Sequence, residues 1–177
     1  MGPSDVELVA RVLADDDRRA FAQLVRRHQS AVRGLLRRLT AGDAALADDL
    51  AQETFLRAYR SLRGWRGAGK LSTWLYRIAW NGWASQARRP PAPELRIPTP
   101  ARDGADAAID RHDLERAMAA LREEERSALA LAYGQDVSHE EAAAILDCPV
   151  GTLKTNILRG KEKLRRVLAP QNAEVTR

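Results

Sequence analysis

Only one cysteine, Cys148, stands in 177 residues, so no internal disulfide can form and the chain suits a reducing compartment. It reads as a small side chain in a turn. No apolar run approaches the length needed to span a bilayer, and the N-terminus, MGPSDVELVA, lacks the basic-then-apolar order of a secretory signal. The expectation is a cytoplasmic protein without membrane insertion. His28, His112 and His139 fall in separate elements, and no HExxH, Gly-rich phosphate loop or Ser/His/Asp arrangement is present. That leaves no catalytic residue, metal site or cofactor to nominate, no small-molecule substrate and hence no enzyme. No stretch reads as a strand and no internal repeat is visible, so the fold class is all-α.

Charge is present with both signs but unevenly spread. There are 29 Lys plus Arg against 24 Asp plus Glu, a formal net of +5. Residues 1–89 hold 16 basic and 9 acidic side chains, whereas 106–150 hold 4 and 11. Such alternation points to separate polyanionic and basic partners. The length suits one large or two small domains, each able to bury a modest core.

The clearest stretch is Ser138 to Arg166, which reads as two helices joined by a tight turn. Ser138 followed by Glu141 is a capping-box signature, and Ala142, Ile145 and Leu146 make a short apolar face. Asp147-Cys148-Pro149 interrupts it, with Pro149 suited to a first helical position. In the second helix Leu153, Ile157, Leu158 and Leu164 can face a core while Lys154, Arg159, Lys161, Lys163, Arg165 and Arg166 decorate the rest. A short helix, a turn and a basic helix make a helix-turn-helix, whose second helix enters the DNA major groove.

Upstream, the three-four spacing predicts a short helix carrying Val6, Leu8, Val9, Val12 and Leu13, and a long one from about Arg18 to Thr40. A third runs from about Ala44 to Leu62, with Asp48, Asp49, Gln52 and Glu53 as an acidic and polar patch near its start, where negative charge suits the helix dipole. A basic loop follows, Arg63 to Lys70, and then a helix from Leu71 to about Arg88. Its expected buried stripe is Trp74, Leu75, Ile78 and Ala79. Trp80 and Trp83, beside Arg77, Arg88 and Arg89, are left to a surface of the kind that stacks unpaired bases, the alternative being a second hydrophobic interface to another protein. From Pro90 to Ala105 proline is too frequent for helix or central strand, so this is a linker. The organisation is a helical domain over 1–89, a linker over 90–105, a helix-turn-helix domain over 106–169 and a disordered tail over 170–177.

The order of these parts resembles the extracytoplasmic-function (group IV) sigma factors of bacterial RNA polymerase, in two-domain form and over nearly the whole chain. The likeness rests on AFAQLVRRHQ (Ala20 to Gln29), DDLAQETFLRAYRSL (Asp48 to Leu62), STWLYRIAWN (Ser72 to Asn81) and VSHEEAAAILDCPVGTLKTNILRGKEKL (Val137 to Leu164). It implies a region 2-like and a region 4-like domain, with core RNA polymerase, promoter DNA and an anti-sigma factor as partners. Asp48, Asp49, Gln52, Glu53 and Arg57 then dock on the polymerase. Arg63, Trp65, Arg66, Lys70, Ser72, Thr73, Trp74, Arg77, Asn81, Arg88 and Arg89 recognise and melt the minus-ten element. Thr152, Lys154, Thr155, Asn156, Arg159, Lys161 and Lys163 read the minus-thirty-five element. The chain departs from the pattern at Arg122, where proline is usual, at Asn156, where many members carry arginine, and at Ser85, where many carry aspartate. Asn156 suits adenine, whereas arginine prefers guanine.

Two other readings exist. A dimeric helix-turn-helix repressor or activator would bind a palindromic site without polymerase, and it leaves the basic, Trp-rich first domain unexplained. An enzyme using Asp48, Asp49, Glu53 and a histidine as metal ligands lacks any supporting motif.

Overall fold

An oxygen-bearing side chain starts four of the helices. Ser4, Asp17, Asp43 and Ser138 each accept from backbone N–H groups two or three residues on, at 2.9–3.3 Å, and each such cap contributes about 1 kcal/mol. At Ser4 and Ser138 the box is closed by Glu7 and Glu141, whose carboxylates accept from the cap residue's own N–H at 2.6 and 2.7 Å. The computed structural model describes residues 2–67, 69–88 and 113–168. It contains α1 (Asp5–Asp15), α2 (Arg18–Leu39), α3 (Ala44–Ser61), a 3-10 turn (Leu62–Gly64) and α4 (Leu71–Ala87). Helical residues 113–119 form α5, followed by α6 (Glu123–Gly134), α7 (His139–Ile145) and α8 (Val150–Leu168). No strand occurs among the described residues, as the all-α reading expects. The expected linker and tail, and Arg89, lie outside them.

The centre of the molecule is α2. Its buried Ala20, Leu24, Val32, Leu35, Leu36 and Leu39 pack α1, α3 and α4, and α2 also touches α6. The two sequence domains therefore share one continuous core, from Leu8 to Ile157. At the seam Gln135 donates to the Ala31 carbonyl at 3.2 Å, and Arg38 donates to its own helix at the Gly34 carbonyl, 3.1 Å away, and reaches the Gly134 carbonyl at 3.5 Å.

Two expected faces are corrected. The stripe that α4 buries is Leu71, Leu75, Ala79 and Trp83, joined by Tyr76 and Ala84, while Trp74 and Ile78 are only half-buried. Spacing of four, not three, points this stripe at α2 and α3, and contact with α7 covers part of a second face. Trp83 is thereby core, and the Arg126 guanidinium lies 5.9 Å from its ring centroid. On α8, Leu158 is 57% exposed, because Leu153, Ile157 and Gly160 are the residues that face α6. Helix α8 also starts at Val150, one residue after Pro149.

Candidate nucleic-acid interface

The turn between α7 and α8 is built from local chemistry. Leu146 closes α7, Asp147 takes the left-handed conformation at φ 52°, and Cys148 N–H returns to the Ala143 carbonyl at 3.1 Å. This is the Schellman pattern, with Asp standing where Gly is usual. The chain then enters α8 at an angle held by two contacts with α6. Gly160 comes so close to α6 that a Cβ there would sit 2.7 Å from Leu129 Cδ1. Below it, Lys163 Nζ lies 2.7 and 2.8 Å from the two carboxylate oxygens of Glu125, which is 3% exposed and also accepts from Arg122 N–H at 3.0 Å. Burial pushes the Glu125 carboxyl up, but the Lys163 bond, the Arg122 N–H and the neighbouring positive charges outweigh it and leave it below its ordinary value.

The face of α8 turned from α6 carries Thr152, Lys154, Thr155 and Arg159, all exposed, with Asn156 half-buried beside them. Lys161 is drawn back over the Tyr133 ring, 4.4 Å from its centroid, and Lys163 is held by Glu125. Two cations, Lys154 and Arg159, therefore stand out from the first half of this helix, in the arrangement a major-groove reader needs.

In the first domain the expected minus-ten residues divide. Arg63, Arg66, Asn81 and Arg88 are exposed; Ser72 and Trp74 are half-buried. Trp65 is 8% exposed and packed in the core, and its indole N–H has no acceptor among the described residues. It lines a cleft of about 350 Å³ with Asp5, Val6, Arg27 and Lys70. Lys70, Thr73 and Arg77 are occupied by the second domain. Lys70 Nζ donates to Asp136 Oδ2 at 3.0 Å, Thr73 Oγ1 to Glu141 Oε1 at 3.1 Å, and Arg77 to the Ala144 carbonyl.

Across α4 from that face, Asp49 and Gln52 are exposed. Asp48 meets Arg33 Nε at 3.1 Å and Glu53 meets Arg57 Nε at 2.7 Å. Asp49, Glu53 and Arg57 also line a cleft of about 240 Å³ between α3 and α4 that ends at Ser85. Among the described residues no group of His, Cys, Asp and Glu could hold a metal ion, and no helix is long and apolar enough to cross a membrane.

Both halves of this arrangement match known families, residues 24–90 the Sigma-70 region 2 family and residues 111–164 the Sigma-70, region 4 family. The chain is 36% identical to the RNA polymerase sigma-H factor of Pseudomonas aeruginosa, over 94% of each protein. It belongs to the ECF sigma factors of RNA polymerase. The Haemophilus influenzae ECF RNA polymerase sigma-E factor is 33% identical over 94% of this chain and 96% of its own length. In fold, the chain superposes on the sigma factor RpoE of Bartonella quintana, solved with the anti-sigma factor NepR, at a TM-score of 0.72 and 26% identity, over 85% of this chain and 98% of that one. As a sigma factor, it carries a helix-turn-helix on α7 and α8, largely within the region 4 match.

No motif marks the seam of this sigma factor, where Asp136, Glu141, Gln135 and Arg126 meet the first domain. The acidic character of residues 106–150 was its one trace. Part of that acidity is answered by the chain's own basic domain.

Proposed function

We propose that this sigma factor joins core RNA polymerase through Asp48, Asp49, Gln52, Glu53 and Arg57, reads the minus-thirty-five element with α8, and recognises and melts the minus-ten element with the loop and α4. Nucleotidyl transfer stays with the polymerase, and the chain supplies no catalysis of its own. The exposed row Thr152, Lys154, Thr155 and Arg159 on a helix set by the Schellman turn is the observation that carries the reading. Within it, Thr155 back-bonds to the Gly151 carbonyl at 3.0 Å, which orients its hydroxyl. Lys161 and Lys163, engaged by Tyr133 and Glu125, serve as phosphate contacts only on leaving those partners.

The action belongs in the bacterial cytoplasm, with the polymerase, and an anti-sigma factor of the kind bound by RpoE is the expected restraint. Reconstitution with core polymerase on a genomic template library tests the reading, and a promoter-dependent transcript is the expected result. Arg159→Ala weakens promoter duplex binding by about 1–3 kcal/mol and leaves polymerase affinity unchanged, whereas Asp49→Ala does the reverse. Absence of any promoter-dependent product sinks the assignment.

A further inference from the structure

Helix α7 sits on the face of α4 that the preceding reading gives to minus-ten DNA. Three donors meet α7 and the turn before it: Lys70 at the N-cap of α4, and Thr73 and Arg77 within it, at spacings of three and four on one side of the helix. The groups they meet are the Asp136 carboxylate, the Glu141 carboxylate and the Ala144 carbonyl at the negative end of α7. All three are acceptors carrying full or partial negative charge, as phosphate oxygens are. Glu141 is fixed for this purpose, since its other oxygen holds Ser138 N–H at 2.7 Å. Meanwhile Thr152, Lys154, Thr155 and Arg159 of α8 remain exposed.

We infer that α7, with the turn at Asp136, is an intramolecular occupant of the minus-ten face, competing with single-stranded DNA for Lys70, Thr73 and Arg77. The closed chain reads the minus-thirty-five element and exposes Asp49 and Gln52, but engages the minus-ten strand only after α7 leaves α4. Its apparent affinity for that strand is lowered by the fraction of chains that are closed. Premature melting contacts are thus suppressed without a second protein. This inference rests on the minus-ten assignment of α4.

The test uses the full chain in a Cys148→Ser background, with fluorophores on Leu56→Cys and Val167→Cys, both exposed positions on α3 and α8. Asp136→Lys sets like charges against Lys70 and lowers energy transfer without DNA, and adding Lys70→Glu restores it. Short single-stranded DNA of randomised sequence lowers transfer as it saturates the wild-type pair. Asp136→Asn binds that DNA about threefold or more tightly than wild type, the scale of an exposed ion pair. The charge-matched Glu124→Gln, at an exposed site on α6, leaves the affinity unchanged. Transfer insensitive to Asp136→Lys, DNA saturating with no fall in transfer, or equal gains from Asp136→Asn and Glu124→Gln each overturn the competition. Promoter-dependent transcription that survives alongside any of these leaves the sigma reading intact. A chain that closes by charge swap yet binds no single-stranded DNA overturns the minus-ten assignment instead.

Discussion

Ala41 holds φ 53° at the position that ends α2, with its N–H on the Arg38 carbonyl and that of Gly42 on the Arg37 carbonyl at 2.9 Å. A Cβ in this conformation costs about 1 kcal/mol relative to glycine. Ala41→Gly is therefore expected to raise the melting temperature by roughly 2–4 °C in a thermal scan. Gly42→Ala should lower it, since Gly42 sits at φ 90° and a Cβ would lie 2.7 Å from Glu115 Cδ. Ala41-Gly42 is legible in the sequence as a break, but which of the two residues bears the strain is not. The tryptophans show the same limit: period assigned Trp74 to the buried stripe and Trp83 to the surface, whereas packing against α2 and α3, with Arg126 of α6 near its ring, puts Trp83 in the core.

At the scale of elements, the Glu125–Lys163 pair and the Gly160–Leu129 contact hold α8 on α6. The Glu125 carboxyl lies below its ordinary value of 4.5 in the folded chain, so its contribution is fully present above that value and is lost as pH falls through the lowered one. Melting temperature is expected to drop below about pH 4.5 more steeply in the wild type than in Glu125→Gln, as measured by circular dichroism across a pH series. Removing the carboxyl altogether leaves Lys163 half-buried without its partner, and Glu125→Ala should cost about 1–3 kcal/mol in denaturant unfolding. Capping residues and the apolar face of α7 were readable because they act within four residues. The clasp was not, because its two halves are 38 positions apart.

Across the whole molecule two electrostatic interactions respond to salt in different ways. The contacts of Lys70 with Asp136 and of Arg77 with α7 are exposed and therefore screened. The duplex binding proposed for α8 would depend on counterion release from phosphates, so the logarithm of its constant is expected to fall linearly with the logarithm of salt. Lys154→Ala is expected to flatten that slope by about one, read by fluorescence anisotropy on a minus-thirty-five duplex over a salt series. An unchanged slope would remove Lys154 from the phosphate contacts.

Near neighbours and order along the chain suffice for the helix start at Ser138, the break at Asp147-Cys148-Pro149 and the succession of parts that marks a sigma factor. Caps and periodicity are local, and local interactions leave a pattern at fixed spacing. Packing was needed to settle which tryptophan is core, that Lys163 belongs to Glu125, and that α7 lies on Thr73 and Arg77 of α4. Those pairings join residues tens of positions apart, and burial and charge select among equivalent candidates only after the helices have packed.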